Sequence, residues 1–202
     1  NSGAFLATGV LTVKRLPPCE RPAVAAVLPT VKGPTVLLDV GASVECRAAH
    51  LMQFALMGTA FTQAILGLDR PSVGLLSNGS EANKGTESLR EAHRLLNQLN
   101  LNYFGFVEGN DIARGLCDVV VTDGLVGNVA LKLCEALAVD MYERIEGLFR
   151  GNLVGALAMG LIKKSMAKFR QELDWQNVGG APILGLDCVA YLTHGNASPK
   201  SI

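Results

Sequence analysis

The sequence has no excess of charge of either sign. Eighteen Lys and Arg balance eighteen Asp and Glu, so nothing in the totals points to a nucleic acid partner. Paired cysteine motifs are missing as well. The five cysteines, at 19, 46, 117, 134 and 188, are scattered, odd in number and contain no CxxC. They read as small buried apolar residues of a reducing compartment, not as a metal cluster. There is no GxGxxG after a strand and no GxxxxGK[ST], HExxH or GxSxG, which removes the signatures of nucleotide hydrolysis and serine-hydrolase chemistry. No charged segment followed by an apolar core opens the chain, so a signal peptide is not supported. Ala48 to Leu68 has no charged residue, yet it carries His50, Gln53, Gly58, Thr59, Thr62 and Gln63 and lacks flanking aromatic anchors. That favours a buried core or dimer-interface helix over a membrane span.

What is present is apolar: 49% hydrophobic residues against 18% charged, in 202 residues. This describes a soluble globular chain with a large interior or a covered surface, of one domain or two small ones. It opens on Asn1 rather than Met, and we expect a fragment of a longer protein. The densest signal is Asp118-Val119-Val120-Val121-Thr122-Asp123-Gly124-Leu125-Val126-Gly127-Asn128. Three valines favour a strand covered on both faces, and Gly124 and Gly127 suit a turn or a close backbone approach. Val129 to Leu137 then suits a largely buried helix with Asn128 as N-cap. Asp123 and Asn128 thus fall at the carboxyl end of a strand, beside helix N–H groups that favour an anion.

The same order recurs along the chain. Thr35 to Asp39 is a strand leading into Val40-Gly41-Ala42 and a helix from about His50 to Leu66. Val73 to Ser77 is a second strand, followed by a loop and a helix near Thr86 to Leu99 with Leu89, His93, Leu95, Leu96 and Leu99 around one face. Tyr103 to Val107 is a third, and strand candidates close the chain around Ile183 to Leu186 and Cys188 to Leu192. Repeated strand-then-helix order predicts an α/β fold, a mainly parallel sheet with helices on both faces. We expect a single domain, 1–202, with a helical hairpin at 145–174 protruding from it. Within that hairpin Gly151 to Ile162 is uncharged and is followed by Lys163, Lys164, Lys168 and Arg170. Twelve residues cannot span a bilayer. An apolar tip with a basic shoulder fits an interfacial anchor on anionic lipid, and it equally fits a subunit-packing hairpin; the two are compatible.

Polar groups stand just after successive strands: Asp39 with Gly41, Ser77 to Lys84, Glu108 with Asp111, Asp123 with Asn128, and His194 with Gly195. The topology brings several of these to one sheet edge, so as a set they form a candidate site. Lys84-Gly85 lies just before a helix, where Lys is either a cationic hydrogen-bond donor to phosphate or an ordinary surface residue. His194 precedes a Ser198-Pro199 helix start and reads as a general base, an anion contact or a structural histidine. His50 and His93 read as structural.

Six ordered motifs resemble one family. Leu38-Asp39-Val40-Gly41-Ala42, Lys84-Gly85, Val107 to Ile112, Asp118 to Gly124 with Gly127-Asn128, Gly179 to Gly185, and His194-Gly195 are similar to the bacterial phosphate acyltransferase of phospholipid synthesis. Asn1-Ser2-Gly3-Ala4 resembles that family's Asn-Thr-Gly-Ala turn, so the likeness covers the chain but about the C-terminal two-thirds of a member. Val126 stands where the family usually has Thr, and Ser77 to Ala82 replaces an apolar-Gly-Glu-Glu sequence.

The resemblance implies a phosphate acetyltransferase or isopropylmalate dehydrogenase-like fold, and an enzyme moving acyl groups from acyl carrier protein to inorganic phosphate to give acyl phosphate. It also implies a cytoplasmic homodimer, peripherally bound to an anionic membrane surface, with no cofactor and no metal. Asp123 and Asn128 would orient the reactants, Lys84 would hold phosphate, and His194 would transfer a proton or contact the anion. Asn1, Ser2, Gly3, Gly41, Gly85, Gly124, Gly127 and Gly195 would bind phosphate or acyl phosphate. Leu153, Val154, Leu157, Met159, Lys163, Lys164, Lys168 and Arg170 would meet membrane or carrier protein. The alternatives are a short-chain phosphate acyltransferase using coenzyme A and a non-catalytic scaffold at the membrane.

Overall fold

The computed structural model describes residues 2–149, 153–173 and 180–193. In chain order its elements are α1 (Ser2–Thr12), β1 (Ala23–Thr30), β2 (Gly33–Leu38), α2 (Ala48–Leu66), β3 (Ser72–Leu76), α3 (Glu87–Asn97) and β4 (Asn102–Val107). They continue as α4 (Gly109–Arg114), β5 (Val119–Val121), α5 (Gly124–Phe149), α6 (Leu153–Leu173), β6 (Ala181–Leu184) and β7 (Ala190–Leu192). Two compact units result, one of residues up to Ala130 with Ala181–Leu192, the other from Leu131 to Gly180. The first seven residues of α5 belong to the first unit.

The first unit is built on one sheet of order β4-β3-β5-β2-β1-β6-β7. β4, β3, β5 and β2 are mutually parallel, β1 is antiparallel to β2 and to β6, and β7 is antiparallel to β6. β6 therefore runs with the parallel four, and five of seven strands share one direction.

The three-residue strand β5 lies inside the parallel block. All three valines of β5 are buried, paired to Val36–Leu38 on one side and Val73–Leu75 on the other. Side chains fix where it starts. Asp118 Oδ2 accepts from Ser72 N at 2.7 Å and Ser72 Oγ at 2.6 Å, and Thr35 Oγ1 donates to the Cys117 carbonyl at 3.1 Å. Alternation then sorts the core. Val36, Leu38, Val73, Leu75, Val119 and Val121 pack with Leu51, Phe54 and Ala55 of α2 and Ala92 and Leu96 of α3. Leu37 and Val120, pointing the other way, are buried too, as a parallel block covered on both faces requires.

Two helices begin and end as their residues dictate. Thr86 caps α3, its hydroxyl accepting from Leu89 N at 3.3 Å. α2 ends at Gly67 in the left-handed conformation, with φ +69. The uncharged Ala48 to Leu66 stretch buries one face, and among the described residues no helix is long and apolar enough to cross a membrane.

Three expectations change. Strand β1, the hairpin partner of β2, was hidden, because Pro22 and Pro29 flank and interrupt a run rich in Ala, which has weak strand preference. α5 begins at Gly124, not after Asn128, and its cap is Asp123, whose Oδ1 accepts from Val126 N at 2.8 Å. Nor is the helix largely buried. Among its described residues only Gly124 and Gly127 are buried, while Val129, Leu133 and Leu137 are at least half exposed.

Phe54 is fully buried at the centre of the core cluster. Phe54→Ala should destabilise the protein by about 3–5 kcal/mol. A urea titration would show this as a lower midpoint at unchanged slope.

Candidate active site

Four parallel neighbours deliver their carboxyl ends to one edge. β5 is in register with β2 and β3 at Val121, Leu38 and Leu75, and Leu76 is level with Val107 of β4. Asp39, Thr122-Asp123, Ser77-Asn78 and Glu108 follow directly, as the strand-end pattern predicts.

Asp39 anchors this edge. It is 0% exposed, and its Oδ1 accepts from Val24 N at 3.1 Å, Gly41 N at 3.1 Å and Ala42 N at 2.9 Å. These bonds fold the chain into a turn in which Gly41 has φ +142, open to glycine at little cost. Asp39 Oδ2 and the Ser43 hydroxyl are buried with no hydrogen-bond partner among the described residues. Burial pushes the Asp39 carboxyl above the ordinary aspartate range, against the opposing N–H groups of Ala42, Val24 and Gly41 and the Ser43 hydroxyl. Cys46 is pushed up to about 11 by burial, with the charges of Asp39 and Asp123 adding to it, so its thiol stays protonated and is no nucleophile.

The start of α5 lies against this turn. A Cβ on Gly127 would overlap the Asp39 carbonyl oxygen. One on Gly124 would overlap the Ser43 carbonyl and come within 2.7 Å of Asp39 Oδ2. Asn128 is exposed, its Oδ1 3.9 Å from the place a Gly41 Cβ would take. Among the described residues no group accepts from the N–H of Gly124 or Leu125, and Leu125 is 55% exposed. A helix start with open N–H groups favours an anion.

Lys84 comes from the loop after β3, the strand beside β5, and is half-buried. Asn78 Oδ1 holds that loop by accepting from Gly85 N at 2.9 Å, Arg90 donates to the Gly85 carbonyl, and Gly85 has φ +78. The structure thus sets Gly124 and Gly127 on Asp39 and Asn128 near Gly41, with Asp123 capping the helix, and places Lys84 and Gly85 in the loop that follows the adjacent strand. Ser2 and Gly3 open α1. Asn1, His194 and Gly195 lie outside the described residues. His50 and His93 serve packing: His50 Nδ1 accepts from Arg47 N at 3.2 Å, and His93 bonds the Tyr103 hydroxyl and stacks on Phe106.

In the second unit, α6 holds Leu153, Val154, Leu157, Met159, Lys163, Lys164, Lys168 and Arg170. Val154, Leu157 and Leu161 are exposed at a spacing that places them on one stripe, and Lys163, Lys164 and Lys168 are exposed in the following turns. Leu161 extends the stripe beyond the residues picked from sequence.

The fold resembles that of two solved phosphotransacetylases. A phosphotransacetylase from Streptococcus pyogenes superposes with a TM-score of 0.56 at 19% identity, over 69% of this chain and 48% of that one. One from Staphylococcus aureus gives 0.52 at 18%, over 64% and 46%. The sequence is more specific. The fatty acid synthesis protein family profile matches residues 1–202, and the chain belongs to that family. Phosphate acyltransferases from Geotalea uraniireducens and Syntrophotalea carbinolica are 44% and 46% identical over all 202 residues. The chain spans 58% of the length of each.

The upward shift of Asp39 has a stability consequence. The native state holds this proton more tightly than the unfolded chain does, so stability is lost as pH rises from the unfolded value of about 3.9 through the raised native value. Asp39→Asn removes that contribution. Urea midpoints taken at steps from pH 4 to 8 should therefore fall less with pH in the variant than in the wild type. Gly127→Ala should cost at least about 3 kcal/mol, since the Asp39 carbonyl or the helix must move, and thermal melting would register it.

Proposed function

We propose that the full-length protein transfers a fatty acyl group from the thioester of acyl carrier protein to inorganic phosphate, forming acyl phosphate for phospholipid synthesis. The observation that carries this reading is the open start of α5 beside the Gly41 turn, with Asn128 exposed at its rim. The phosphate acyltransferases to which the chain is similar supply the chemistry.

In this reading the N–H groups of Gly124 and Leu125 and the Lys84 ammonium hold the phosphate dianion. A phosphate oxygen attacks the thioester carbonyl carbon, and Asn128 or a backbone N–H stabilises the oxyanion that develops. The C–S bond then breaks, the carrier's sulfur leaves as thiolate and takes up a proton, and acyl phosphate remains. Asp123 holds the first turn of α5 in place. His194 is assigned the proton transfer or a contact to the anion. No side chain needs to become acylated, in keeping with the protonated state of Cys46.

The second unit fits the remainder of the reading. We assign the Val154, Leu157 and Leu161 stripe and the lysines after it to an anionic membrane surface, with the basic shoulder also suited to an acidic carrier protein. Leu133, Leu137 and Met141 repeat every four residues on α5 and are exposed, which suits packing against a second copy in a homodimer.

Lys84→Ala and Asn128→Ala should each lower phosphate-dependent release of carrier thiol from long-chain acyl carrier protein by about 100-fold or more. Wild-type rates in both variants would remove these residues from the mechanism. Turnover only with short-chain acyl coenzyme A, or vesicle binding with no turnover, would overturn the reading in favour of a soluble acetyltransferase or a scaffold.

A further inference from the structure

Asp39 receives no solvent, so it meets no substrate directly. What it meets is both walls of the site. Its Oδ1 takes three amide hydrogens, two from the turn that carries Gly41 and one from Val24 on the neighbouring strand β1. A local turn needs only the first two. The third ties the turn to the sheet, so Gly41 cannot shift without β1 shifting. The rest of the residue faces α5. Its carbonyl oxygen lies directly under Gly127 and Oδ2 under Gly124, the two buried positions of that helix. Asn128 is the next residue and faces Gly41 across the rim.

We propose that Asp39 is a positioning residue which, from beneath, sets the separation between the Gly41 turn and Asn128, and so acts on the reaction through Asn128. The inference rests on the reading of Asn128 as part of the site. Asp39 fixes the height of both walls with a single rigid group, whereas separate supports could move apart. A displacement of about 1 Å in such a constellation is enough to slow a reaction about 100-fold.

A cycle between the two residues tests this in the full-length protein. Asp39→Asn keeps an oxygen for the three N–H groups but replaces the unpartnered Oδ2 with an NH2 group that must be accommodated against Gly124. The single variant is expected to lose at least 10-fold in kcat for acyl phosphate formation. In an Asn128→Ala background the same change is expected to cost less than twofold, because the residue through which it acts is gone. A general structural weakening would instead multiply with Asn128→Ala, and multiplied losses overturn the proposal, as does a wild-type rate in Asp39→Asn.

The side-chain amide signals of Asn128 in ¹⁵N–¹H NMR spectra read its placement without turnover: they should shift in Asp39→Asn, and unchanged signals overturn the proposal. If the wild type forms no acyl phosphate, the proposed reaction falls while this second readout still decides the role of Asp39. Should Asp39→Asn fail to fold, Gly41→Ala disturbs the same separation from the turn side, and multiplied losses with Asn128→Ala overturn the proposal in that form.

Discussion

The start of α5 lies directly on the turn that follows β2, with no side chain of the helix's own at the two points of contact. Gly124 and Gly127 expose bare backbone to the Asp39 carboxyl, the Asp39 carbonyl and the Ser43 main chain. An alanine at either place would push the helix away from the sheet. The close approach puts the open N–H groups of one element beside the turn of another, so that two strand ends form one continuous rim. It also explains why so polar a residue as Asp39 is tolerated without solvent. Its three amide partners replace water at one oxygen, and desolvation at the other shows in its raised pKa.

The sequence makes this edge legible because its signals are local. Three valines followed by Asp, Gly and Gly describe a buried strand and a turn, and the parallel partners of that strand read equally well from Val36 to Leu38 and Val73 to Leu76. What stayed hidden depends on partners distant in sequence. β1 has the alanine content of a helix or loop and is a strand because β2 and β6 hold it on both sides. The cap of α5 was placed five residues late, since Asp123 and Asn128 are both good caps and only the packing of Gly124 on Asp39 selects the earlier one. No periodicity distinguishes the exposed leucines of α5 from core leucines, because an uncovered apolar face has the same pattern as a covered one.

The residues assigned to the proposed site fall into two kinds. Asn128 is exposed and Lys84 half-buried, each with a group to donate, while Asp39, Gly124 and Gly127 are buried and would act only through where they place others. The first kind is found by asking what a residue can donate. The second is found by asking what its side chain, or the lack of one, permits nearby.

The position of β5 has a consequence for how the molecule is made. It is an interior strand of the parallel block, between β3 and β2, yet β1 to β4 all precede it in the chain. Until Val119 to Val121 leave the ribosome, β2 and β3 have no shared neighbour, and the strand edges that pair with β5 stay open although four strands have already been synthesised. Three residues then close the gap at once. A nascent chain stalled before them would hold two apolar half-sheets, the form most prone to pair with another copy of itself.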